Sequence, residues 1–135
     1  MLRNTMMSSR CILIVDDEYI ILESLRIQLE RNLPDDVIIE SASSFEEAEV
    51  IMHEIASTGD AISAVISDYN LGDVKGSEVL RVASMLFPRV KKSILSGHAH
   101  AQDVVGQNPD IRLDAFFSKP WKTEDLVGFV LSSFD

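Results

Sequence analysis

Short apolar runs alternate with amphipathic stretches along most of the chain. Cys11-Ile12-Leu13-Ile14-Val15 is a continuous apolar run that meets Asp16-Asp17, the pattern of a strand buried on both faces. From Glu18 to Asn32, Ile21, Leu22, Leu25 and Leu29 share one face of a helix that Leu33-Pro34 closes. Val37-Ile38-Ile39 reads as a second strand. Ser44-Phe45-Glu46-Glu47 has the spacing of a capping box. The helix it opens carries Ala48, Ile51, Met52 and Ile55 on one face, and Thr58-Gly59-Asp60 ends it. Ala61 to Ser67 reads as a third strand, again running into an aspartate, Asp68. After a loop containing Gly72 and Gly76, Val79, Leu80, Ala83, Leu86 and Phe87 mark a third helix stopped at Pro88. Ser93-Ile94-Leu95 is a fourth strand ending at Ser96-Gly97. A short helix fits Ala101–Gln107, weakened by Gly106 and ended by Asn108-Pro109. Ala115-Phe116-Phe117 is a fifth strand running to Lys119-Pro120. Thr123 is expected to cap a last helix with Glu124 and Asp125 in its positive first turn. Leu126, Val127, Val130, Leu131 and Phe134 form its buried stripe.

Five strands alternating with about five helices imply an α/β fold: a doubly wound five-stranded parallel sheet with helices on both faces. The 135 residues fit one domain, expected over residues 10–135, with residues 1–9 a polar N-terminal arm. No linker, repeat or low-complexity tract divides it, and no output domain is visible.

Charge narrows the functional classes. Twelve Lys plus Arg against 22 Asp plus Glu leave a net charge of −10. That opposes binding to nucleic acid and to anionic membrane surfaces. The single cysteine, Cys11, excludes an intramolecular disulfide and a multi-cysteine zinc site. Every apolar run is far shorter than the ~20 residues of a membrane helix. A reducing cytoplasm is the expected compartment.

In a doubly wound sheet, ligands bind beyond the carboxyl ends of the strands. Here those ends carry Asp16-Asp17, Asp68, Ser96 and Lys119. A lone aspartate after a strand is ordinarily a turn or cap residue; the coincidence at four strand ends is the informative feature. Clustered carboxylates repel one another and raise each other's pKa, which a divalent cation offsets. An oxygen-only donor set favours Mg²⁺ or a similar hard ion over zinc. A carboxylate beside such an ion, an ammonium and a hydroxyl is equipped to attack a phosphoryl group.

The segments ILIVDDE, ISDYN, ILSG and FFSKP together resemble the receiver domain of two-component response regulators, including the stand-alone chemotaxis-type members. The resemblance runs from Arg10 to Phe134, with all five signature positions in order. It implies a flavodoxin-like receiver fold in which Asp68 accepts a phosphoryl group. It further implies that Asp16 and Asp17, with Asp68 and the backbone carbonyl of Asn70, hold Mg²⁺. Ser96 then corresponds to the hydroxyl that bonds the phosphoryl oxygen, and Lys119 to its paired lysine. Pro120 matches a proline preceded by a cis peptide, and Phe116 the aromatic switch that turns inward on activation. Asn70 and His98, two positions beyond Asp68 and Ser96, flank the path of the hydrolytic water and would tune dephosphorylation.

The implied phosphoryl donor is a histidine kinase or histidine phosphotransfer protein; the downstream protein stays unnamed. Such a domain catalyses its own phosphoryl uptake and loss, and turns over no external metabolite. The sequence departs from the family pattern at Asn70-Leu71-Gly72, where a Met-Pro pair is usual, and at Trp121, where Phe or Leu is commoner.

The alternative is a metal-dependent phosphohydrolase with an aspartyl-phosphate intermediate. That class carries Asp-x-Asp on its nucleophile strand, whereas Asp68-Tyr69-Asn70 lacks the second acid. Neither glycine-rich nucleotide-binding fingerprint occurs. Cys11 reads as a small buried hydrophobe, His53 as exposed, and Trp121 as a packing anchor. His98 and His100, two apart in an irregular loop, make a poor metal pair.

Overall fold

The computed structural model describes residues 10–135, so the expected arm over residues 1–9 lies outside the described residues. The first strand, β1 (Arg10–Val15), is the apolar run at the start of that range. Its alternate side chains feed two separate cores. Cys11, Leu13 and Val15 point to one face, Ile12 and Ile14 to the other.

The order continues with α1 (Tyr19–Asn32), β2 (Val37–Ala42), α2 (Phe45–Ser57) and β3 (Ala64–Asp68). A short hairpin, β4 (Asn70–Leu71) and β5 (Val74–Lys75), leads into α3 (Gly76–Leu86). Then come β6 (Lys91–Ser96), α4 (Ala101–Gln107), β7 (Ala115–Ser118) and α5 (Thr123–Ser132). The five long strands form one sheet, ordered β2-β1-β3-β6-β7 and parallel throughout. Leu22, Leu25 and Leu29 of α1 and Leu126 and Val130 of α5 cover one face. Met52 of α2, Val79, Leu80 and Ala83 of α3 and Val104 of α4 cover the other. This is the doubly wound sheet expected from the periodicity. Its strand order reverses beside β1, so the carboxyl ends of β1 and β3 lie next to each other, where such folds place their sites.

Local signals account for most of the boundaries. Ser44 Oγ accepts from the Glu47 amide at 3.1 Å, as the capping box requires, while the Glu47 carboxylate reaches the Ser43 amide at 2.6 Å. The first helix begins where Asp16 Oδ1 accepts the Glu18 amide at 2.9 Å. In the two-residue β4–β5 turn, Gly72 takes φ 73°, a value that glycine reaches without steric cost.

Three expectations need correction. Leu131, placed in the buried stripe of the last helix, is exposed, and only Leu126 and Val130 of that stripe are fully covered. Ladder pairing of β3 begins at Ala64 and extends through Asp68, later than the reading from Ala61; Ile62 is nevertheless buried ahead of it. Thr123 is not the cap of α5. Lys122 holds that place with no side-chain cap bond, and Thr123 Oγ1 donates instead to Gln28 Oε1 of α1 at 2.9 Å. Trp121 Nε1 donates to the same oxygen at 2.8 Å. The half-buried indole is thus a packing anchor, tying the segment after β7 to α1.

Candidate functional site

The site is assembled by four strand ends. Val15 is the last residue of an apolar strand whose register against β2 and β3 leaves no slack, so Asp16 follows it into the interior and is fully buried. Asp17, one residue on, turns out to solvent. Asp68 is the final residue of β3 and 7% exposed. Carboxylate oxygens of Asp16, Asp17 and Asp68 all lie within 4.8 Å of one another. Lys119, just beyond β7, reaches Asp16 Oδ2 at 2.8 Å and Asp68 Oδ1 at 3.5 Å, with Glu18 Oε1 at 3.8 Å.

The electrostatics follow from this crowding. Burial, the charge of Asp16 and a smaller push from Asp17 raise the Asp68 carboxyl to about 6, against the pull of Lys119. Burial raises Asp16 as well, although bonds from Lys119 and the Glu18 amide oppose it. Burial disfavours the Lys119 ammonium, but the hydrogen bond and charge of Asp16, with Asp68 and Glu18, outweigh it and hold the ammonium more firmly protonated. One ammonium cannot neutralise three carboxylates. The hard oxygen donors and their mutual repulsion therefore fit a divalent cation of the Mg²⁺ type.

The other expected residues surround this centre. Ser96 is buried at the end of β6, its hydroxyl oxygen accepting the amides of His98 and Ala99 at 3.3 and 3.0 Å. Phe116 is half-buried in β7 and packs against the core on the α2–α3–α4 side. The Lys119–Pro120 peptide is cis. Asn70 and His98 are both exposed. Asn70 Oδ1 accepts from Lys75 Nζ at 2.6 Å, so the amide expected to orient a water is already engaged on one side. Among the described residues, His98 and His100 join no group of potential metal ligands.

Three contributors were not read from the sequence. Ser67 Oγ donates to the Asp68 carbonyl at 2.9 Å. Gly76 opens α3 so close to β3 that a Cβ there would collide with that carbonyl and lie 2.9 Å from Ser67 Oγ. Tyr69 is buried directly after Asp68. Only the Gly76 position carries a sequence signal, a glycine at the start of an apolar helix, and it opens α3 instead of lying in the preceding loop.

The doubly wound parallel sheet, with an acidic cluster and a lysine at its carboxyl edge, places the chain among the α/β proteins that gather their polar groups at strand ends. The family follows from direct comparison. The response regulator receiver domain family matches residues 12–130, and the chain belongs to that family of two-component signalling domains. A response regulator receiver domain protein (CheY-like) from Methanospirillum hungatei JF-1 is 28% identical, with TM-score 0.77 over 95% of each chain. A response regulator receiver protein from Sinorhizobium medicae WSM419 is 27% identical, with TM-score 0.74 over 93% of this chain and 94% of that one. A receiver domain protein from Clostridium thermocellum, 23% identical with TM-score 0.75 over 92% and 93%, shares the fold. No curated relative matches. Among the described residues no helix is long and apolar enough to cross a membrane.

Proposed function

We propose that the protein accepts a phosphoryl group on Asp68 from a histidine kinase or histidine phosphotransfer protein. Uptake is Mg²⁺-dependent, and it switches a protein-binding face. The supporting observation is the convergence of the Asp16, Asp17 and Asp68 carboxylates with Lys119 Nζ bridging Asp16 and Asp68.

In the forward step a carboxylate oxygen of Asp68 attacks the phosphorus of a phosphohistidine. An O–P bond forms and the P–N bond breaks, and the imidazole leaves with the electron pair and takes up a proton. With its pKa near 6 in the metal-free site, Asp68 is mainly ionised at neutral pH, and more basic than an ordinary carboxylate. Lys119 sits where it can pair with a phosphoryl oxygen, and the Ser96 hydroxyl hydrogen is available to donate to another. Asp16 and Asp17, with Asp68 and the Asn70 carbonyl, would hold the cation, which supplies Lewis-acid neutralisation of the developing charge. Hydrolysis of the acyl phosphate returns the carboxylate, with Asn70 and His98 beside the water's path. Activation draws in Ser96 and Lys119, Phe116 turns inward, and the α4–β7–α5 face changes for a downstream protein. The cytoplasm, where such kinases present phosphohistidine, is the proposed compartment; neither nucleic acid nor membrane is a proposed partner.

Incubation with acetyl phosphate and Mg²⁺, read by intact-mass spectrometry, tests the reading. Wild type should gain one phosphoryl group and Asp68→Asn none. An adduct on the variant, or multiple-turnover hydrolysis of a simple phosphomonoester by wild type, would overturn it.

A further inference from the structure

Tyr69 is the residue after the nucleophile, and its phenol is built into a polar hub that none of the proposed phosphoryl chemistry uses. The ring is 6% exposed, within the core that also packs Phe116 and Val104. Its hydroxyl donates to Gln107 Oε1 at 3.1 Å and accepts from Asn108 Nδ2 at 3.4 Å. Asn108, 7% exposed at the end of α4, uses the same amide nitrogen on the Val104 carbonyl at 2.8 Å. Its own oxygen accepts from Arg81 Nη2 of α3 at 3.0 Å. Arg81 in turn forks onto Asp110 at 2.9 and 3.1 Å and pairs with Glu78. One buried amide therefore joins the Asp68 segment, α3 and the carboxyl end of α4.

That helix needs such a tether. It has seven residues, one of them Gly106, and His100 gives it no side-chain cap. A helix this short is unstable by itself, and Val104 is its only fully buried side chain. Resting on the phosphoryl-acceptor reading, we propose that the Tyr69–Asn108–Arg81 hub is a latch that holds α4 in the unphosphorylated position. It couples α4 to the backbone of the phospho-acceptor by a route separate from Ser96 and Phe116. Linkage is reciprocal: if phosphorylation displaces α4, loosening the latch must favour binding of a phosphoryl mimic by the same factor.

The test uses Tyr69→Phe, which keeps the ring and removes the hydroxyl. Amide exchange over residues 101–108 of the unmodified, metal-free protein should speed by roughly fivefold, the protection one hydrogen bond carries. Exchange in β1 and β3 should stay at the wild-type rate. Affinity for beryllofluoride with Mg²⁺ should rise severalfold, a gain that simple structural damage does not produce. Arg81→Gln should move both readouts in the same direction. Unchanged α4 exchange in Tyr69→Phe refutes the latch, and faster exchange with unchanged beryllofluoride affinity refutes the coupling. A wild type that binds no beryllofluoride refutes the acceptor reading and the coupling with it; the exchange result still reports on the hub's hold on α4.

Discussion

Replacing Asp68 by Asn should make the metal-free protein more stable at neutral pH while removing the proposed nucleophile. The carboxyl ionises near 6 in the folded protein against an ordinary 3.8. A difference of roughly two units, at about 1.4 kcal/mol each, puts the cost of the folded carboxylate at about 3 kcal/mol. The sign follows from proton counting. The folded state's pKa lies above the unfolded one, so the folded protein binds more protons between about pH 4 and pH 6. Stability falls as pH rises through that window and is level above it. Asparagine has the same shape and no charge to bury, so its advantage is absent near pH 4 and complete above pH 6. The pull of Lys119 at 3.5 Å is already contained in that net shift, and solvent screening at a partly open site brings the expected gain to about 2 kcal/mol.

Urea unfolding of both proteins in chelator, at steps from about pH 4 to pH 7.5, measures this directly. Adding Mg²⁺ should raise wild type more than the variant, because bound cation is linked to the folded state alone. A variant no more stable than wild type at pH 7, or an advantage that does not shrink toward pH 4, would show that the raised pKa is not a folding cost.

Gly76→Ala should destabilise the fold by about 2 kcal/mol or more, since its Cβ meets the Asp68 carbonyl and backbone must shift. An unchanged urea midpoint would mean that α3 does not lie against β3 as described. His98→Ala should alter the decay of phosphorylated protein severalfold through lost shielding of the water's path. Identical decay rates would remove His98 from the timing of the signal.

The sheet was legible because its strands carry short apolar runs, four of them meeting Asp16, Asp68, Ser96 or Lys119 at or just beyond their carboxyl ends, and the helices carry stripes of ordinary spacing. The site was legible for the same reason. Asp16 and Lys119 are 103 positions apart, yet both sit at strand ends that a parallel sheet must align. Interactions without a periodic signature were not. Thr123 looks like a cap, but the oxygen of Gln28 on another helix competes for its hydroxyl. The Asn70–Lys75 hairpin has strands of two residues each, too short to alternate. Tyr69 carries no periodic signal, and its partners lie 38 and 39 positions away, at the carboxyl end of a helix whose sequence hardly favours being one.

Local charge arithmetic ties the site to the switch. At pH 7 three carboxylates against one ammonium sum to −3 + 1 = −2 at the strand ends. On the proposed reading, converting the Asp68 carboxylate to an acyl phosphate adds roughly one further negative charge. A divalent cation offsets two charges and leaves the phosphorylated centre still negative. The remaining positive potential must come from groups that can move closer, the Lys119 ammonium and the Ser96 hydroxyl with the amides of its loop. Ser96 now accepts the amides of His98 and Ala99, at the root of the loop that leads into α4. On the proposed reading, a shift of Ser96 toward a phosphoryl oxygen would pull on the amides of His98 and Ala99 ahead of α4, while the Tyr69 hub grips the carboxyl end. The Ser96 loop then reaches α4 from its amino side and Tyr69 holds its carboxyl end, so on that reading a change of about one charge at Asp68 would act on the helix from both sides.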